Sequence, residues 1–130
     1  RGLSGHSDAD VLIHAIADAL LGALGLPDIG HFYPNTDEQW KDVASTVFLK
    51  DIALKVKASG RSIANVDSSV VAEEPKILPH LAEMKKAIAV ALDISPEQVG
   101  IKATTNETMG FVGRREGVAA WATACLVPAS

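Results

Sequence analysis

The chain holds a single cysteine among its 130 residues, so an intrachain disulfide is excluded. Cys125 lies in the apolar run from Ala119 to Val127, where it reads as buried filler in a reducing compartment. Aromatic residues make up only 5% of the chain, too few for the stacking platforms of a single-strand binder. Lysine and arginine number 12 against 16 acidic residues, a net charge of −4 with no basic stripe, so no nucleic-acid partner is expected. No continuous apolar run is long enough to span a bilayer and none has the layout of a signal peptide, so no membrane partner is expected either. Any phosphate chemistry must then draw on helix ends, backbone amides and metal ions rather than on bulk positive charge. Repeats, low-complexity tracts and interdomain linkers are also missing. What is present, 48% hydrophobic and 22% charged, suffices for one domain with a core.

The densest chemistry is His6-Ser7-Asp8-Ala9-Asp10-Val11-Leu12-Ile13-His14. Ser7 and Asp8 are N-cap types, which predicts a helix from there to near Gly22. Asp10, His14 and Asp18 are spaced four apart, along one face. Val11, Leu12, Ala15, Ile16, Ala19 and Leu20 are expected to pack inward. The stretch fits a plain capped helix start as well as a ligand-bearing one.

Gly25 to Gly30 breaks the pattern, and residues 31–39 read as an irregular loop rich in turn formers. Apolar spacing predicts a second helix over Ser45 to Ala58 with Gly60 as its stop. A strand is expected from Ile63 to Ala72, then a Pro-constrained connection through Pro75 and Pro79, and a third helix from His80 to Leu92. Ser95 and Pro96 suit the cap and first position of a short helical turn. Strands are expected at Val99 to Thr105 and at Gly117 to Val127. Strands separated by helices give an α/β (α+β) class, a mixed sheet covered on one face by helices. The small residues of the last strand point to packing against other chains.

Three further clusters carry candidate chemistry. Lys102 to Glu107 leaves a strand end, where α/β domains place ligands, and its hydroxyls and carboxylate suit phosphoryl oxygens and a hard cation. The same residues also make an ordinary polar turn. Arg114-Arg115-Glu116 is either a surface ion pair or a group that reaches a phosphate or a subunit interface. The loop from Ala72 to Leu78 is either a connection or a rigid backbone that reads a nucleobase edge.

Taken together, HSDAD with the following LIHA and ADALLGALGLPDIG, then FYPNTD, then NVDSSVVAEEPKI, then IKATTNE with MGF and GRREG resemble the 2-C-methyl-D-erythritol 2,4-cyclodiphosphate synthases of the non-mevalonate isoprenoid pathway. The motifs run in order over essentially the whole chain. The resemblance implies conversion of 4-diphosphocytidyl-2-C-methyl-D-erythritol 2-phosphate to the cyclic diphosphate and CMP, by metal-assisted intramolecular phosphoryl transfer. It implies a homotrimer in a bacterial cytoplasm or a plastid-type organelle. On matching positions, His6 and Thr105 stabilise the transition state, His14 binds Zn²⁺ or another divalent cation, and Glu107 binds Mg²⁺ or Mn²⁺. Ser7 accompanies His6, and Asp28 and Gly30 line the sugar region, with Tyr33, Asn35 and Asp37 in a closing loop. Ala72, Pro75, Lys76 and Leu78 match the cytosine pocket, Thr104 adds a hydroxyl, and Phe111 and Arg114 match positions near the trimer axis.

The chain departs from that pattern in places. In the family an Asp-x-His pair of metal ligands belongs upstream of Arg1, so residues 1–130 are read as one synthase domain lacking its N-terminal strand or strands, with weak or no Zn²⁺ binding and little activity expected. Asn35 stands where the family commonly has Asp, and Asn106 where it commonly has Thr. Two alternatives stay open, the C-terminal domain of a bifunctional cytidylyltransferase/cyclase and an inactive trimeric module that binds a cytidine nucleotide.

Overall fold

The computed structural model describes residues 2–34, 44–71, 78–104 and 119–130. Helix α1 runs over Gly2–Ala23, longer than the cap types predict. Ser7 and Asp8 lie within it and not at its start. The far end is sharper. Gly25 adopts φ +74, Leu26 N–H donates to the Leu21 carbonyl at 2.9 Å, and Gly25 N–H donates to the Gly22 carbonyl at 2.9 Å. This is a Schellman end, and its left-handed residue is one that glycine occupies without a Cβ clash.

A one-turn helix, α2 (Ile29–Phe32), follows within the stretch expected to be irregular. Helix α3 covers Ser45–Ala58, with the bounds its apolar spacing predicts, and Gly60 at φ +78 turns the chain. Strand β1 is Arg61–Val71, α4 is Leu81–Leu92, β2 is Val99–Thr104 and β3 is Ala119–Pro128. Asp93 closes α4 at φ 58, with Ile94 N–H donating to the Ala89 carbonyl at 2.9 Å. No glycine marks that stop, since aspartate tolerates the left-handed region well enough to replace it. The Ser95 turn forms as expected over Pro96–Gln98, with Ser95 N–H donating to Gln98 Oε1 at 2.9 Å.

Among the described residues the sheet has the order β2-β1-β3. β1 is parallel to β2, through the α4 crossover, and antiparallel to β3. The sheet is therefore mixed, as its class predicts. Its two faces differ. Val66, Ser68 and Val70 are buried on the helix side, whereas the alternating Asp67, Ser69 and Val71 are only half-buried. The buried Ser68 is satisfied, its hydroxyl donating to the Gly100 carbonyl at 2.8 Å. Helices cover one face of the sheet.

Burial corrects two expectations. On β3, Ala120, Ala122, Ala124 and Leu126 pack on the core while Trp121, Thr123, Cys125 and Val127 are exposed. Cys125 is thus a surface thiol and not core filler, because a period of two sends it to the face opposite its alanine neighbours. On α1 the inward stripe is Leu12, Ile13, Ile16, Ala17, Leu20 and Leu21, while Val11 is exposed and Ala15 and Ala19 are half-buried. Small alanines tolerate either environment, so they could not fix the rotation of the helix; Ile13 and Leu21 do.

The core joins that stripe to Phe48, Leu49, Ile52 and Val56 of α3, Ile88 and Leu92 of α4, and Val66, Val70 and Val99 of the sheet. Ile16 is fully buried at its centre. Ile16→Ala is expected to lower the unfolding free energy by about 2–5 kcal/mol in urea titration, where a loss of well under 1 kcal/mol would contradict the packing.

Candidate functional site

The outward row of α1 is the part of the site that the structure describes most fully. Asp10, His14 and Asp18 share one exposed face, as their spacing predicts. Their side chains are then put to different uses. Asp10 Oδ1 accepts from the Ser45 hydroxyl at 2.6 Å and so ties α1 to the start of α3. Asp18 Oδ1 accepts from Ile29 N–H at 2.8 Å and so ties α1 to the start of α2. His14 stands between them, exposed, with its ring centroid 6.2 Å from that of Phe48.

Beyond Asp18 lies the turn that carries Asp28 and Gly30. Asp28 caps α2, its Oδ1 accepting from His31 N–H at 3.2 Å. Both residues are exposed. Tyr33, expected in a closing loop, begins that segment from within the core. It packs on Phe48 at 5.0 Å between centroids, and its hydroxyl donates to Asp51 Oδ2. Lys55 lies 3.6 Å from the same carboxylate and 4.7 Å above the Phe32 ring. The apolar spacing of α3 marks Phe48 as a core position, whereas nothing local marks Asp51; both meet Tyr33 only through the tertiary fold.

The two parallel strands end level, with Val71 of β1 opposite Thr104 of β2. Their C-terminal ends lead directly into residues 72–77 and 105–118, so two motifs distant in sequence start from adjacent positions. Thr104 is exposed at that edge. Asn35, Asp37, Ala72, Pro75, Lys76, Thr105, Glu107, Phe111 and Arg114 lie outside the described residues. The side chains of His6, Ser7 and Leu78 do as well, although their backbones belong to α1 and to the short turn before α4. A cavity of about 330 Å³ is lined by Lys50, Lys57, Arg61 and Asp93 along with apolar residues of α3 and α4, and it contains none of the expected site residues.

Among the described residues no group of three or more His, Cys, Asp or Glu side chains is arranged to hold a metal ion. His14 offers one imidazole on an open face, which suits a single donor, but the carboxylates a turn away on either side are already hydrogen-bonded. A tetrahedral site draws its remaining donors from elsewhere. No helix among the described residues is long and apolar enough to cross a membrane.

Burial, helped by the Asp51 carboxylate, holds the Tyr33 hydroxyl protonated well above the usual phenol range. A raised folded-state pKa stabilises the fold below the unfolded value of about 10, and that stability fades as pH climbs above it. Tyr33 is the only tyrosine in the chain. Tyrosinate absorbance is therefore expected to stay flat through pH 10 while the protein is folded and to appear together with loss of structure. An ordinary titration curve in a folded sample would refute the burial of this hydroxyl.

The comparisons with known proteins agree. The sequence matches the YgbB family over residues 1–127. The 2-C-methyl-D-erythritol 2,4-cyclodiphosphate synthase of Synechococcus elongatus is 56% identical over 126 residues, 97% of this chain and 79% of its own length. The enzyme of that name from Akkermansia muciniphila is 57% identical over 127 residues, covering 98% and 75%. The structure of IspF from Plasmodium falciparum in its CDP complex superposes with a TM-score of 0.80 at 32% identity, over 92% of this chain and 72% of that one. By sequence and by fold, the chain belongs to the YgbB family, that of the 2-C-methyl-D-erythritol 2,4-cyclodiphosphate synthases.

Proposed function

We propose that the chain catalyses the cyclisation of 4-diphosphocytidyl-2-C-methyl-D-erythritol 2-phosphate, acting as a phosphorus–oxygen lyase. An oxygen of the 2-phosphate attacks the β-phosphorus, the bond from that phosphorus to the bridging oxygen breaks, and CMP departs with the electron pair. The product is 2-C-methyl-D-erythritol 2,4-cyclodiphosphate. The observation that carries this reading is the identity of more than half the residues to synthases over nearly the full chain. The CDP complex of the Plasmodium falciparum protein supports a cytidine nucleotide as the recognised part of the substrate. The bacterial sources of the relatives support a cytoplasmic setting.

No protein nucleophile is needed, so the side chains fold the substrate and offset charge as it develops. In this reading His6 and Thr105 stabilise the transferring phosphoryl group, and Ser7 holds the phosphate beside His6. Asp28 and Gly30 hold the sugar hydroxyls, and the segment from Tyr33 through Asn35 and Asp37 covers the substrate. Backbone groups of Ala72, Pro75, Lys76 and Leu78 read the cytosine edge, with Thr104 at the strand end. His14 would supply one ligand to Zn²⁺ or a similar cation, and Glu107 one to Mg²⁺ or Mn²⁺. Bound there, such ions would act as Lewis acids on the diphosphate.

The expected product is a cyclic diphosphate in phosphorus NMR, appearing with CMP. A linear phosphate would instead mark a phosphoesterase and remove the assignment. In the enzyme with its metal bound, His14→Ala is expected to lose Zn²⁺ by metal analysis and most turnover while keeping its fold.

Assembly into a homotrimer is part of the same reading, with Phe111 and Arg114 near its axis. The outer face of the sheet supports it, since Trp121 is 60% exposed there beside Thr123, Cys125 and Val127. Trp121→Asp is expected to shift sedimentation from trimer to monomer. A wild-type protein that sediments as a monomer would argue against trimerisation.

A further inference from the structure

We infer that Asp18 is a positioning residue for the substrate, holding the Asp28–Gly30 turn in place from the helix that carries His14. The inference rests on the proposed function, in which Asp28 and Gly30 meet the sugar. Asp18 lies one helical turn beyond His14 on the same exposed face. Its Oδ1 accepts from Ile29 N–H at 2.8 Å, across the loop that follows α1. Ile29 is flanked by the two residues assigned to the substrate, Asp28 and Gly30.

The other restraints on this turn run towards α2. His31 N–H bonds both the Asp28 carboxylate at 3.2 Å and its carbonyl at 3.1 Å, and the Ile29 carbonyl accepts from Tyr33 N–H at 2.9 Å, while Asp28 and Gly30 are exposed. The Gly25-Leu26-Pro27 segment leading to it is exposed too. Ile29, only partly buried, packs against the core from one side. The Asp18 bond adds direction to that packing, since a hydrogen bond to the backbone amide fixes how the peptide plane is turned. The Asp28 carbonyl, which shares that peptide plane, is turned with it, and the Asp28 carboxylate is held by His31 N–H. Asp10 does the equivalent for α3 by way of Ser45, so His14 is the member of the row left open for a ligand.

A purely structural link would act on stability alone. A positioning link changes substrate affinity while the chemistry, once the substrate is seated, changes little. The test uses Asp18→Ala, Asp18→Asn and Asp28→Ala in the intact enzyme, with kcat, KM, melting temperature and bound metal measured for each. Asp18→Ala is expected to raise KM about three- to tenfold, the scale of one lost hydrogen bond, with kcat within about twofold and bound metal unchanged. Asp18→Asn keeps an acceptor oxygen and is expected to restore most of the wild-type KM. Asp28→Ala is expected to raise KM at least as much. If Asp28→Ala raises KM and Asp18→Ala does not, the positioning role fails while the substrate assignment stands. If Asp18→Ala lowers only the melting temperature, Asp18 is a structural staple. If Asp28→Ala leaves KM unchanged, the substrate assignment of the turn fails, and the positioning role fails with it.

Discussion

Leu12, Ile16 and Leu20 are fully removed from solvent along one side of α1, in the same cluster as Val66 and Val70 of β1 and packed near the alanines of β3. Burying each side chain contributes about 1.5–3 kcal/mol relative to leaving it exposed. Rotating the helix by a single residue would bring several of them into water at once. The direction in which His14 faces is therefore set by the buried residues on the opposite side of the helix. The alanines of β3 contribute by being small, since Ala120, Ala122 and Ala124 let the helix lie close to the strand.

Once α1 is fixed in this way, its exposed row can serve several elements. Asp10 and Asp18 are anions that already have partners, one the Ser45 hydroxyl and the other the Ile29 amide. Each bond joins α1 to the first residues of another helix, so the starts of α2 and α3 are referenced to the same surface as His14. A second path runs through the interior, from His14 to Phe48 to Tyr33 and on to Asp51. Rings at these separations interact by offset and edge contacts and resist sliding, which holds the Tyr33 end of the loop against α3.

The parallel pairing of β1 and β2 does comparable work for the other motifs. Its register sets Val71 against Thr104, so the chain leaves both strands at one edge of the sheet. Ligand sites of α/β folds gather at such edges because side chains and backbone amides from separate loops converge there. Pairing through the α4 crossover is what brings the segments that begin at residues 72 and 105 to neighbouring starts.

Much was legible in the sequence because it depends on local rules. The bounds of α3, the Ser95 turn and the strand positions follow from apolar spacing and turn chemistry over a few residues. The shared face of Asp10, His14 and Asp18 follows from the helical repeat, and the family follows from motifs that keep their order along the chain. Other features could not be read locally. The turn of α1 about its axis, the exposure of Cys125 and the burial of Tyr33 depend on which neighbour covers which face. The partners of Asp10 and Asp18, and the Asp51 carboxylate under Tyr33, come from residues 11 to 35 positions away along the chain. Sequence alone determined which residue types could do the chemistry and on which elements they sit. Only the tertiary structure decided which of them are already bonded and which remain open, because long-range packing fixes the partners of a polar group.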